Sequence, residues 1–136
     1  MVFPDLDEAR RHHAALLEII IHHPGGWADR ASRNRVAELC REAASAIDDA
    51  QCAKHIEAIA SYAVDLFSEQ GHRRWDRGNT SGADFLRLEI VRALHSYNRR
   101  LSAIEARRLA SGSSQALSLA QQCRHLLPPM RIPTLE

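Results

Sequence analysis

The sequence is poor in the residues that favour β-strands. It contains four Val and two Thr against 21 Ala and 15 Leu. Ala and Leu are strong helix formers, whereas β-branched residues prefer strands. Glycine and proline, which interrupt helices, are absent between Trp27 and Gln70. These absences exclude a β-rich fold and predict an all-α protein.

Long apolar runs and cysteine pairs are missing as well. The longest apolar run, residues 14–21, is interrupted by Glu18 and is far shorter than the roughly 20 residues that cross a bilayer. The first fifteen residues lack the apolar core of a signal peptide. The three cysteines, Cys40, Cys52 and Cys123, are widely spaced, which is typical of buried thiols in a reducing compartment. We therefore expect a cytoplasmic protein without membrane contact.

Apolar residues recur at helical spacing in five segments between clusters of helix breakers. Gly71 is the expected C-cap of the third helix, and Ser81 with Asp84 forms a capping-box pattern before the fourth. The pattern predicts a single domain, a compact bundle of four or five helices over residues 1–127, with an extended tail at 128–136. The predicted helices cover residues of about 5–22, 29–47, 50–70, 82–110 and 114–127.

The separation of the second and third helices depends on helical phase, because no glycine or proline lies between them. Extending the apolar stripe of the second helix places Lys54 at its centre and moves Ile56 and Ile59 to the opposite side. One straight helix cannot bury both sets. Asp48 and Asp49 are both N-cap candidates, and Gln51 follows Asp48 by three residues as in a capping box. We therefore expect a tight turn or a sharp kink near residues 48–51.

The net charge of +1 conceals a segregation of charge along the chain. Residues 1–70 carry seven basic and twelve acidic side chains, whereas residues 71–108 carry nine arginines and four acids. Arginines beside an aromatic ring can bind phosphates and stack a base, or anchor a protein partner. Opposite charges can also pair within the chain or across a dimer. The candidate binding residues in the basic segment are Arg73, Arg74, Trp75 and Arg77 in a predicted loop, and Arg92 and Arg99 on the fourth helix.

Eight histidines require a test for metal chemistry. Glu8 and His12, and Glu18 and His22, are four residues apart on the first helix. Neither pair reproduces the Glu-x-x-His motif of di-iron bundles or the His-Glu-x-x-His motif of zinc proteases, so we interpret them as surface pairs and expect no metal. His13 projects from the apolar stripe of the same helix, which predicts a core histidine.

Motifs that support catalysis are missing. The chain has no Gly-x-Gly-x-x-Gly motif, Walker loop or Gly-x-Ser-x-Gly elbow. We therefore expect a non-enzymatic protein-interaction module without cofactor: a small adaptor, an inhibitor or immunity protein, or a regulatory subunit. Its predicted partner-binding residues are Arg73, Arg74, Trp75, Arg77, Arg92 and Arg99.

Two alternatives remain open beside this expectation. One is a nucleic-acid-binding regulator that uses the basic segment 71–108, although dedicated DNA-binding domains usually have a more basic overall charge. The other is an enzyme that uses His95 or a histidine pair with a metal. Self-association is a further expectation, because Leu88, Val91 and Leu109 lie off the main apolar stripe of the fourth helix.

Overall fold

Five α-helices make up the part of the chain that the computed structural model describes, residues 5–22 and 29–126, with side chains to Ser111. No strand occurs in these ranges, so the all-α prediction is confirmed. The predicted tail at 128–136 lies outside the described residues. The helices are α1 (Leu6–His22), α2 (Arg30–Ala46), α3 (Ala50–Leu66), α4 (Glu69–Arg74) and α5 (Gly82–Leu126).

The core forms where α1, α2, α3 and the first part of α5 each bury one face. Their buried residues recur every three or four positions, which is the spacing that aligns side chains along one side of a helix. Full burial of a Leu or Ile side chain contributes roughly 1.5–3 kcal/mol. The largest completely buried side chains include Leu16, Ile20, Leu39, Ile59, Leu86, Ile90, Leu94 and Tyr97.

The expected turn between the second and third helices is confirmed. Helix α2 ends at Ala46, and α3 begins at Ala50. Asp49 is the N-cap of α3, and its carboxylate accepts a 2.9 Å hydrogen bond from the backbone N–H of Cys52. This short connection makes α2 and α3 an antiparallel pair, and the two helices pack against each other.

The end of α3 differs from the prediction, because the chain turns earlier and forms the short helix α4. Ser68 is the N-cap of α4 and accepts a hydrogen bond from the Gly71 N–H. Gly71 is therefore not a C-cap. It lies inside α4, where a Cβ atom would overlap the backbone of Asp65. Glycine permits this close approach of α4 to the end of α3, which periodicity alone does not predict.

Helix α5 also differs from the prediction. It continues through Gly112 to Leu126, in place of two helices at 82–110 and 114–127. One glycine costs only about 1 kcal/mol relative to alanine inside a helix, less than ending the helix and leaving its backbone groups unpaired. The chain divides into two compact units, residues 1–102 and 103–136. The first contains α1–α4 and the start of α5, and the second contains the rest of α5. The single-domain organisation stays a prediction.

Candidate interaction surfaces

Trp75 is fixed by contacts on several sides. It is the C-cap residue of α4, and its indole N–H donates a 2.8 Å hydrogen bond to the Asp65 carboxylate. The ring stacks on Phe85 with centroids 5.0 Å apart and planes 13° apart, and it meets the edge of Tyr62 at 6.2 Å. The guanidinium of Arg77 lies over the indole, 5.6 Å from its centroid. Trp75 therefore anchors the start of α5 and the end of α3 to α4.

The neighbouring arginines are also engaged within the chain. Arg73 pairs with Glu69 along α4 at 2.5 Å, and Arg74 lies 3.3 Å from the Asp65 carboxylate that holds Trp75. Both belong to α4 and not to the predicted loop. Arg74 and Trp75 thus share the Asp65 carboxylate, while Arg77 contacts the Trp75 ring and donates a hydrogen bond to the Arg74 carbonyl. We call this group the Trp75 cluster; it consists of Tyr62, Asp65, Arg74, Trp75, Arg77 and Phe85.

The two remaining predicted site residues lie on the outward side of α5. Arg92 pairs with Glu89 one turn away at 3.0 Å, and Arg99 is exposed seven residues further along the helix. The structure brings neither of them into the Trp75 cluster. Leu88 and Leu109 are exposed on the same helix, whereas Val91 is half-buried. Self-association through these side chains stays a prediction.

The acidic and basic halves of the sequence meet at a largely buried ion pair. Arg100 of α5 donates two hydrogen bonds to Asp49, at 2.8 and 3.0 Å. Each side chain is 16% exposed. These hydrogen bonds hold the pKa of the Asp49 carboxyl well below its usual range. The expectation that opposite charges pair within the chain is met here, and α5 is tied to the turn between α2 and α3.

The first helix buries a different histidine from the predicted one. His12 is 4% exposed, and its Nε2 lies 3.2 Å from Glu8 and 3.4 Å from Glu42 of α2. His13 is only half-buried and stacks on Tyr97 of α5 at 6.4 Å. Burial, and then the charge of His95, lower the pKa of His13. Glu8 and His12 are therefore not a simple surface pair, because α2 covers that side of α1.

The described part of the chain contains neither an assembled metal site nor an activated thiol. No group of three or more His, Cys, Asp or Glu side chains is arranged there to hold a metal ion. Cys40 and Cys52 are free and buried, as expected. Burial raises the pKa of the Cys40 thiol to about 11 and that of Cys52 to about 12, so both are protonated and weakly nucleophilic at neutral pH. The side chain of Cys123 lies outside the described residues.

A large apolar groove runs between α2 and α3. Its volume is about 690 Å³, and its lining extends from Arg33 to Ala44 on α2 and from Ala53 on α3 to Ser68, the N-cap of α4. The helical parts of these stretches measure roughly 16 Å on α2 and roughly 20 Å on α3, at 1.5 Å per residue. We call this feature the α2–α3 groove. Its buried floor includes Val36, Cys40, Ile56, Ala63 and Phe67.

Small side chains form the exposed walls of the α2–α3 groove. Ala37 and Ala44 line it from α2, and Ala53 lines it from α3 with Val64, which is 67% exposed. Alanine walls let another helix backbone approach closely, because interaxial distance follows side-chain size. An open apolar surface of this kind marks an interaction site more often than scattered exposed apolar residues do.

Sequence reasoning missed the α2–α3 groove, although the chain contains one indication of it. Ala37 and Ala44 on α2, and Ala53 and Ala60 on α3, are each seven residues apart. Residues at this spacing share a helix face, so each helix carries a small-residue stripe beside its core stripe. The sequence does not show that these two stripes lie side by side, since this depends on how the helices pack.

The comparisons with known proteins identify no relative of this chain. Neither the protein-family models, nor the curated proteins, nor the solved structures give a significant match to this chain. Among the described residues, no helix combines the length and the apolar character needed to cross a membrane.

Proposed function

We propose that this protein is a non-enzymatic interaction module that binds an amphipathic helix of a partner protein in the α2–α3 groove. The observation that carries the proposal is the groove itself, about 690 Å³ of open space lined largely by apolar side chains of two antiparallel helices. An amphipathic helix inserts its apolar face into a groove of this kind. An adaptor, an inhibitor or a regulatory subunit works in this way.

The dimensions of the groove favour a helix as its occupant. A lined length of roughly 16–20 Å matches a helix of about 11–13 residues. The exposed walls at Ala37, Ala44, Ala53 and Val64 permit close contact along this length, and they supply most of the apolar area that a bound helix removes from water.

The contacts of the Trp75 cluster support placing the partner at the groove. Trp75 and Arg74 already satisfy the Asp65 carboxylate, and Arg73 and Arg92 each pair with an acid of the same helix. A partner at these side chains has to compete with existing contacts, whereas a helix in the groove covers apolar surface that is now exposed.

The test is selection from a displayed library of 16-residue helices with a randomised apolar face. We expect enriched peptides to bind the protein with micromolar affinity. Ala37→Trp, which fills the groove, should weaken them at least ten-fold by fluorescence anisotropy. Ala31→Trp is the matched control, because Ala31 is an exposed alanine of α2 outside the groove lining, and it should leave binding unchanged.

Other outcomes would overturn the proposal. In one such outcome, peptides bind both variants equally but lose affinity when Arg73, Arg74 and Arg77 are changed to Glu. This result would place the binding site at these arginines and not in the groove. Binding of an apolar dye that Ala37→Trp blocks, without any peptide binding, would assign the groove to a small ligand. Tight binding of single-stranded or duplex nucleic acid that collapses with added salt would favour the basic segment 71–108 as a phosphate-binding surface.

A further inference from the structure

Three charged side chains on the rim of the α2–α3 groove have no ion-pair partner among the described residues. Arg33 and Arg41 border the groove on α2, and Glu57 borders it on α3. All three are exposed, and none belongs to an ion pair among the described residues. By contrast, most arginines that flank the Trp75 cluster and line α5 have acidic partners, including Arg73, Arg74, Arg87, Arg92 and Arg100.

The two arginines are separated by a distance that a helix can match. Arg33 and Arg41 are eight residues apart on α2, or about 12 Å along its axis. Side chains seven residues apart on a second helix lie on one flank, about 10.5 Å apart. The long arginine side chains accommodate the difference. Glu57 stands on the opposite wall, where it repels acidic groups and confines them to the α2 side.

We infer that the α2–α3 groove selects amphipathic helices with two acidic side chains seven residues apart on the flank that faces α2, where they pair with Arg33 and Arg41. This inference rests on the proposed function, and it states the chemistry of the partner. The exposed apolar lining of the groove provides the affinity, and the rim charges provide selectivity and orientation, as charges at the edge of an interface usually do.

Three stapled 16-residue peptides test the inference. They share a Leu/Ala apolar face and carry Glu, Gln or Lys at the two flank positions. Exposed ion pairs are individually weak, so we expect the Glu peptide to bind about five-fold more tightly than the Gln peptide and the Lys peptide to bind more weakly than both. The preference should shrink with added salt.

Two charge-reversal variants make the test specific. Arg33→Glu combined with Arg41→Glu should invert the order, so that the Lys peptide binds most tightly. Arg99→Glu combined with Arg107→Glu gives the same change in net charge at exposed residues that do not line the groove. This control should keep the order of the unaltered protein, and an inverted order in it would refute pairing at the groove rim.

The outcomes separate the inference from the proposed function. Equal binding of the Glu and Gln peptides, with loss of both in Ala37→Trp, would overturn the acidic pattern and leave the groove as a helix-binding site. No binding of any peptide, together with no enrichment from the library, would overturn the proposed function itself.

Discussion

The Trp75 cluster and the α2–α3 groove are two surfaces on the same bundle with opposite contact patterns. In the cluster, the indole N–H, the Asp65 carboxylate and the Arg74 guanidinium are all paired. In the groove, the alanine walls and the charges of Arg33, Arg41 and Glu57 have no such partners among the described residues. An aromatic residue among arginines is thus not by itself evidence of a free binding surface.

The largest expected loss of stability comes from disrupting the close approach of α4 to α3 at Gly71, which positions the Trp75 cluster. Gly71→Ala should destabilise the protein by about 3 kcal/mol, because the new Cβ overlaps the Asp65 backbone and forces α4 away from α3. Urea unfolding followed by circular dichroism measures this change. Gly78→Ala is the control, since Gly78 has φ 76° and open space around it, and should cost only about 1 kcal/mol. Equal costs would show that close packing at Gly71 is unimportant.

The second-largest expected loss of stability concerns the ion pair between Arg100 and Asp49 at the turn between α2 and α3. Asp49→Asn keeps a residue that can cap α3 but removes the charge that pairs with Arg100, so we expect a loss of about 2 kcal/mol. Asp48→Asn, an exposed neighbour, is the control and should change stability little. If both variants unfold alike, the ion pair contributes nothing.

This ion pair also predicts a pH dependence. Because Arg100 lowers the folded-state pKa of Asp49 below its unfolded value, the stabilisation is complete above the ordinary pKa of an aspartate, about 3.9, and is lost as pH falls through the folded-state pKa. The stability difference between the unaltered protein and Asp49→Asn should therefore be constant above about pH 5 and shrink in acid. A difference that grows on acidification would contradict this sign.

A smaller effect separates stacking from hydrogen bonding in the Trp75 cluster. Trp75→Phe retains an aromatic ring against Phe85 but removes the donor to Asp65, which should cost about 1 kcal/mol in urea unfolding. Arg74→Ala removes an exposed charge contact of the same carboxylate and should cost less than about 0.5 kcal/mol. The reverse order would mean that charge, and not the indole hydrogen bond, holds the cluster.

The smallest change in stability is expected for a substitution in the α2–α3 groove. Ala37 is exposed and has open space beside it, so Ala37→Trp should change stability by no more than about 0.5 kcal/mol while it blocks peptide binding. A loss similar to that of Gly71→Ala in thermal or urea unfolding would show that the groove is part of the packed core and not a free surface.

Sequence reasoning worked where the information is local. The phase of Lys54 against Ile56 and Ile59 predicted the turn that Asp49 caps, and the capping box at Ser81 matches the hydrogen bond from Asp84 at the start of α5. It failed where the packing of a neighbouring helix determines which side chains are buried. His13 lies closer to the apolar stripe of α1, yet His12 is the buried histidine, because α2 packs over it and brings Glu42 close to its ring. The groove is a second example, since α2 forms one of its walls and α3 forms the other.

The sequence by itself determined that the chain is helical, where α1 and α2 lie, where α3 begins, and that the charges are segregated, because propensity, periodicity and capping act within a few residues. Only the tertiary structure decided that Gly71 is a packing point, that Trp75 is held by Asp65, and that two alanine stripes form one groove. Periodicity specifies which face of a helix is apolar, but the element that covers this face, or leaves it open, is set by how the helices pack.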